Sequence, residues 1–147
     1  MTIDKSGKWW KGNSPEDVQE YLSCLSEAEY KISEFRLSRC TCGSVEFGLE
    51  YNVDEGVVRR KCSLCSSVHY MCGSEEYWLP KVRMKKFKCI ECKSLVANVG
   101  VGFSLYTDGP GVRWLYVGER CVKCGVLGSI VDWKVGLSDS LHLLNEV

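Results

Sequence analysis

Histidine is nearly missing from this 147-residue chain, which has only His69 and His142, and proline is scarce at three. No H-E-x-x-H, G-x-S-x-G or phosphate-loop pattern is present either, so the usual starting points for metallohydrolase, serine-hydrolase or nucleotide chemistry are gone. An excess of one charge is also lacking. Nineteen basic and nineteen acidic residues cancel, and no global field draws the chain to nucleic acid or to an anionic membrane. No run approaches eighteen apolar residues, and the opening "MTIDKSGKWWKGNSPEDVQEY" has no apolar stretch leading to a small-residue cleavage site. These absences predict a cytoplasmic protein, not an enzyme, with no membrane contact and no evident small-molecule substrate. Glu75 and Glu76 do not change that, because neighbours on a strand point to opposite faces and make a poor acid–base pair.

Cysteine is what the chain has in abundance: ten residues, in a composition apolar enough (45%) for a core. Without a secretion signal, a reducing compartment favours metal ligation over disulfides. Eight of the ten form close pairs: Cys40/Cys42, Cys62/Cys65, Cys89/Cys92 and Cys121/Cys124. A C-x-x-C knuckle aims two thiolates at one ion, and two knuckles complete a tetrahedral shell, so the eight predict two Zn2+ per chain. With both ions bound, the ligand charges move the net charge from zero to about −4. Cys24 and Cys72 are left over.

The gaps between knuckles read as strands. "VEFGLEYNV" sets Val45, Phe47, Leu49, Tyr51 and Val53 on one face, turns at "VDEG" and returns through "VVRRKC". "LVANVGVGFSLY" alternates through Val99, Val101, Phe103 and Leu105, turns at "TDGPG" and returns through "VRWLYVGERC". Each hairpin therefore carries a knuckle at either end and closes its site locally. A third apolar run follows each second knuckle and ends at Trp78 or Trp133, which marks the halves as diverged repeats. His69 and Cys72 have no counterpart in the second half. They are expected on the third strand of the first ribbon, with substitution for a ligand of the tight Cys40-x-Cys42 knuckle as the alternative.

The expected fold is mainly β, a small α+β protein: two tandem zinc ribbons of antiparallel strands with an N-terminal helix and a short C-terminal helix. The expected organisation is an arm and helix over 1–37, a first ribbon over 38–80, a basic linker over 81–87, a second ribbon over 88–135 and a terminal helix over 136–147. The two ribbons pack together or share one sheet. Ser14 reads as the helix N-cap, followed by Pro15 and by Asp17 serving the free amides, with Val18, Tyr21, Leu22 and Leu25 as the apolar stripe and Cys24 off it. "SDSLHLLNEV" predicts inward Leu141 and Leu144 and an exposed His142. Trp78, Trp114 and Trp133 are expected as anchors, and Trp9 and Trp10 either clamp the arm to a ribbon or form a binding edge.

The knuckles "CTCG", "CSLC", "CIEC" and "CVKCG" resemble zinc ribbons. "CGSEEYW", "GVRWLYVGERCVKCGVLGSIVDWK" and "GKWWKGNSPEDVQEYL" look like a family of small bacterial proteins with paired four-cysteine ribbons. That resemblance implies a compact cytosolic protein with no assigned reaction, and proteins of this kind often act by binding one protein partner. The expected function is a non-catalytic interaction module, in its sharpest form an immunity protein that blocks a basic toxin domain through an acidic face including Glu50, Asp54 and Glu55. The alternative is nucleic-acid binding through "KVRMKKFK", where Lys81, Arg83, Lys85, Lys86 and Lys88 are basic, with Arg59, Arg60 and Lys61 nearby.

Overall fold

In the computed structural model, which describes residues 3–81, 83–137 and 139–147, the alternating segments form a single antiparallel sheet. Its strands are β1 (Glu34–Leu37), β2 (Phe47–Asn52), β3 (Val57–Cys62), β4 (Val68–Tyr70), β5 (Lys85–Lys86), β6 (Ala97–Leu105), β7 (Val112–Cys121) and β8 (Leu127–Leu137). The main path runs β4-β3-β2-β6-β7-β8, so third, second and first strands of one half meet first, second and third of the other. The ribbons are thus joined through one extended sheet.

This palindromic order is a pseudo-twofold axis, and the register locates it. Phe47, five residues past Cys42, pairs with Cys62; Ala97, five past Cys92, pairs with Cys121. Phe47 and Ala97 also pair with each other, so equivalent residues of the two halves meet at the axis. The short strands obey the same symmetry but cross over. β1 precedes the first ribbon and pairs with β6 of the second, Arg36 opposite Val101 and Leu37 opposite Gly100. β5 precedes the second ribbon and pairs with β2 of the first, Lys85 opposite Tyr51 and Lys86 opposite Glu50. Beyond them Ser38 donates to the Val99 carbonyl at 2.8 Å, and its counterpart Phe87 to the Leu49 carbonyl at 2.9 Å. The stretch read as a basic linker therefore supplies a strand that ties one half to the other.

Burial follows the alternation where one face is covered: Phe47 and Leu49 are buried, Tyr51 is half-buried, and Val53 has already turned into solvent. Residues Ala97–Ser104 of β6 are buried on both faces, because a helix lies on the second face. That helix, α1 (Asp17–Ser26), approaches over glycines. A Cβ at Gly118 would lie 3.0 Å from both Leu22 Cδ2 and Val18 Cγ1, and one at Gly100, opposite Gly118 in the ladder, would collide with Phe35.

Three details of the helices differ from the sequence expectation. Ser14 does not cap α1; the Asp17 carboxylate accepts the N–H groups of Asn13 at 2.7 Å and Ser14 at 3.1 Å, fixing the turn from the other side. Leu25 is exposed, since the glycine shelf admits only Val18 and Leu22 deeply and Ser26 takes the last buried position. At the C-terminus Ser138 lies outside the described residues, and Leu141–Asn145 forms a 3-10 turn. Its tighter winding buries Leu143 and leaves Leu141 outside, with Leu144 half-buried. His142 is exposed, 3.6 Å from Glu146.

The two tryptophans of the arm clamp it down. Asp4 and Lys11 bridge the arm on itself, Lys11 bridges Val126, and the Leu127 N–H donates to the Trp10 carbonyl at 2.8 Å. Trp9 packs on the main core, while Trp10 joins the α1 cluster edge-on to Tyr21. Trp114 stacks on Tyr30 and donates to Asp132, Trp133 covers Gly56, and Trp78 packs against Tyr70 and the Arg59 guanidinium. Among the described residues, no helix is long and apolar enough to cross a membrane.

Candidate metal centre

The hairpins bring the eight paired cysteines into two groups of four, Cys40, Cys42, Cys62 and Cys65 in one and Cys89, Cys92, Cys121 and Cys124 in the other. Within each group all sulfurs lie within 4.8 Å of one another. The closest contacts are Cys40–Cys65 at 3.5 Å, Cys42–Cys62 at 3.6 Å, Cys89–Cys124 at 3.4 Å and Cys92–Cys121 at 3.5 Å. Sulfurs about 2.3 Å from a tetrahedral ion stand about 3.8 Å apart, whereas disulfide sulfurs stand about 2.05 Å apart. The spacing fits four ligands around one ion and fits no disulfide.

Four equivalent turns produce this geometry. The N–H of each leading cysteine donates past its partner: Cys62 to the Ser67 carbonyl and Cys121 to Val126 at 2.9 Å, Cys89 to Ser94 at 2.8 Å, Cys40 to Ser44 at 2.9 Å. The residue after each second cysteine is left-handed, with φ of 96° at Gly43, 66° at Ser66, 68° at Lys93 and 85° at Gly125. Its N–H returns to the leading cysteine's carbonyl at 2.8, 3.0, 3.0 and 2.9 Å respectively. The Cys40-x-Cys42 knuckle is therefore the same device shortened by one residue. It holds both of its sulfurs in the tetrad.

Electrostatics shows why a bare tetrad is unsatisfied. The amide of Cys65, against the pull of burial, and the amide of Leu64 draw Cys62 down to about 6. Against its own burial, Cys121 is drawn down to about 7 by the amides of Cys124 and Lys123 and by the Cys92 sulfur. The Ser44 amide pulls Cys42 down, yet the crowding sulfurs of Cys62 and Cys40 win and push it up to about 12. Burial and the same crowding push Cys124 up to about 12. Four thiolates at this distance repel one another, and a divalent cation at their centre removes the conflict.

His69 and Cys72 are ligands of neither group. The ring of His69 lies 3.1 Å from the Glu146 carbonyl, and Cys72 is buried in the core with its N–H on the same carbonyl at 2.8 Å. Burial raises the Cys72 thiol, so it stays protonated. Cys24 is half-buried, its sulfur 3.8 Å from Lys5 Nζ. The arm braces the second tetrad: Lys11 pairs with Glu91, inside the Cys89–Cys92 knuckle, at 2.7 Å, and Gly12 donates to Gly125 at 2.8 Å.

The surface residues divide differently from their grouping in sequence. Glu50 is taken by Arg59 at 2.7 Å, which leaves Asp54 and Glu55 exposed at the β2–β3 turn. Lys81, Arg83, Lys85, Lys86 and Lys88 are all exposed, but Arg59 stacks on Tyr70 and Trp78, and Arg60 is buried over Phe47 with its guanidinium on the Val147 carbonyl. A carboxylate that the sequence reading did not single out, Glu119 on β7, is buried. Burial pushes it up to about 8.

No family model, no curated protein and no solved structure matches this chain. The two tetrads accordingly rest on geometry alone, and the resemblance to small bacterial paired-ribbon proteins gains no support from these comparisons.

Proposed function

We propose that this protein is a non-catalytic, zinc-stapled module that binds a basic segment of a protein partner. The observation that carries the reading is the closure of both tetrads: four cysteine sulfurs at 3.4–3.6 Å closest approach fill a tetrahedral shell and leave no position for water or substrate. Four soft thiolates suit zinc, and zinc bound this way supplies structure rather than chemistry. Each such site is worth on the order of 10 kcal/mol of apparent binding energy, comparable to the whole stability of a small domain.

The partner face is the cleft beside the β2–β3 turn, about 430 Å³, where Asp54, Glu55, Glu76 and Asp139 outnumber the basic Lys134 and the imidazole of His142 around Trp133 and Tyr77. Carboxylates at the rim and aromatic surface within match a basic segment with an apolar anchor. In its sharpest form the module is an immunity protein whose acidic face covers the basic active site of a toxin that handles nucleic acid. The test is affinity capture from native lysate, with and without nuclease, comparing the wild-type chain with the double variant Asp54→Lys, Glu55→Lys. A stoichiometric basic protein that survives nuclease and is lost with the variant supports the reading. Recovery of nucleic acid that depends on Lys81, Arg83, Lys85, Lys86 and Lys88 overturns it.

A further inference from the structure

Away from the acidic cleft, another of about 340 Å³ lies where the arm, α1, β2, β7, β8 and the stretch following β5 converge. Trp9, Tyr21, Tyr51 and Phe87 line it, together with Glu119 and Gly128. Glu119 is 7% exposed, and its Oε2 is buried without a hydrogen-bond partner. The missing side chain of Gly128 makes room for the carboxylate: a Cβ there would stand 2.5 Å from Glu119 Oε1. A buried carboxyl group with an unpartnered oxygen is costly to keep, and nothing in the ladder needs one, since the backbone of Glu119 pairs with Val99 and Gly128 whatever its side chain.

Aromatic faces attract cations through their quadrupoles, and a carboxyl group among them supplies the acceptor, and the opposite charge once an ammonium stands against it. We propose that this cleft binds an alkylammonium group, with the ammonium on Glu119 and its methylene stem against Trp9, Tyr51 and Phe87. The site is independent of what the acidic cleft binds. Among the described lining residues the only basic side chain, Lys88, is exposed and makes no ion pair with Glu119 in the described contacts. The ammonium reaches the protein either as a free amine or as a lysine side chain, and the chemistry at Glu119 is the same for both.

The test is titration of the metal-loaded protein with n-butylammonium chloride and, separately, with neutral n-pentanol, at constant ionic strength, followed by calorimetry and by tryptophan fluorescence, since Trp9 lines the cleft. A buried charge-assisted hydrogen bond predicts saturable one-to-one binding in which the cation is favoured at least about tenfold. Glu119→Gln is expected to remove that preference without changing the affinity for pentanol. Gly128→Ala, whose methyl group displaces the carboxylate, is expected to do the same. Nα-acetyl-lysine N-methylamide distinguishes the sources: tighter binding than butylammonium assigns the site to a lysine of a partner, and weaker binding assigns it to a free amine. Equal binding of cation and alcohol overturns the proposal, as does absence of saturation by roughly 10 mM or an unchanged preference in the variants. The comparison of cation with alcohol on the wild-type chain decides the matter even where a variant fails to fold.

Discussion

Two of the four knuckles turn through a left-handed residue that is not glycine, and replacing those residues gives a quantitative test of the turn geometry. Ser66 and Lys93 stand at φ of 66° and 68°, where Gly43 and Gly125 stand in the other knuckles. A non-glycine residue in this conformation costs about 1–2 kcal/mol, while glycine's extra freedom in the unfolded chain returns about 0.5–1 kcal/mol of that. Ser66→Gly and Lys93→Gly should therefore each stabilise the holo protein by about 0.5–1 kcal/mol. Lys93 gives up only an exposed 3.3 Å bond from its ammonium to the Ile90 carbonyl. The two changes sit in different tetrads and should add. The reverse change, Gly125→Ala, meets the same strain and also puts a methyl group 2.6 Å from the Gly12 carbonyl oxygen, so it should cost more than either substitution gains. Because folding and metal binding are one equilibrium in such chains, the differences appear as metal affinity, about fivefold per 1 kcal/mol. Competition against a chelator of known affinity reads them directly. Weaker metal binding by Ser66→Gly and Lys93→Gly would refute the account of the knuckles.

Further outcomes follow from the crossing strands, the glycine shelf and the spare thiols. Cys92→Ser should lower metal content to one ion per chain and also loosen the first ribbon, because β5 carries the second ribbon's entry strand onto β2; hydrogen exchange at Leu49–Tyr51 should rise, and unchanged protection there would show independent halves. Gly118→Val should dislodge α1 at a cost of about 1–3 kcal/mol, seen as lost helical circular dichroism with both metals retained, since the added atoms meet Val18 and Leu22 rather than any cysteine. In the metal-loaded protein, alkylation should modify half-buried Cys24 first and leave Cys72 untouched until unfolding, as its buried, protonated thiol requires; early loss of Cys72 by mass spectrometry would contradict its placement.

The eight tetrad cysteines were legible because ligand spacing is a local property: each knuckle writes its turn into three or four residues, and the hairpins between them alternate plainly. The repeat was legible up to the second knuckle of each half. Beyond it the halves diverge, as β4 stops at Tyr70 and gives way to a 3-10 turn over Ser74–Tyr77, while β8 runs on to Leu137. The crossing of β1 and β5 was not legible, since "KVRMKKFK" has no alternation and a two-residue strand is defined wholly by the edge it meets. The helix stripe misled at Leu25 because the docking surface is made of absent side chains, Gly100 and Gly118, which limit how much of the helix can be covered. Glu50 belonged to the expected acidic face by sequence, but Arg59 lies across the strand pair from it and takes its charge. Glu119 carried no signal because one glutamate in an alternating strand reads as a solvent-facing residue, and only the arm and helix folded over that face bury it.

The most direct test of the central claim is metal stoichiometry on the intact chain by native mass spectrometry, with elemental analysis of the same sample. The account predicts two zinc ions per chain, each adding the mass of zinc less two protons by charge balance, and no disulfide. One ion, iron in place of zinc, or a mass two or more units low from oxidised cysteine pairs would contradict it.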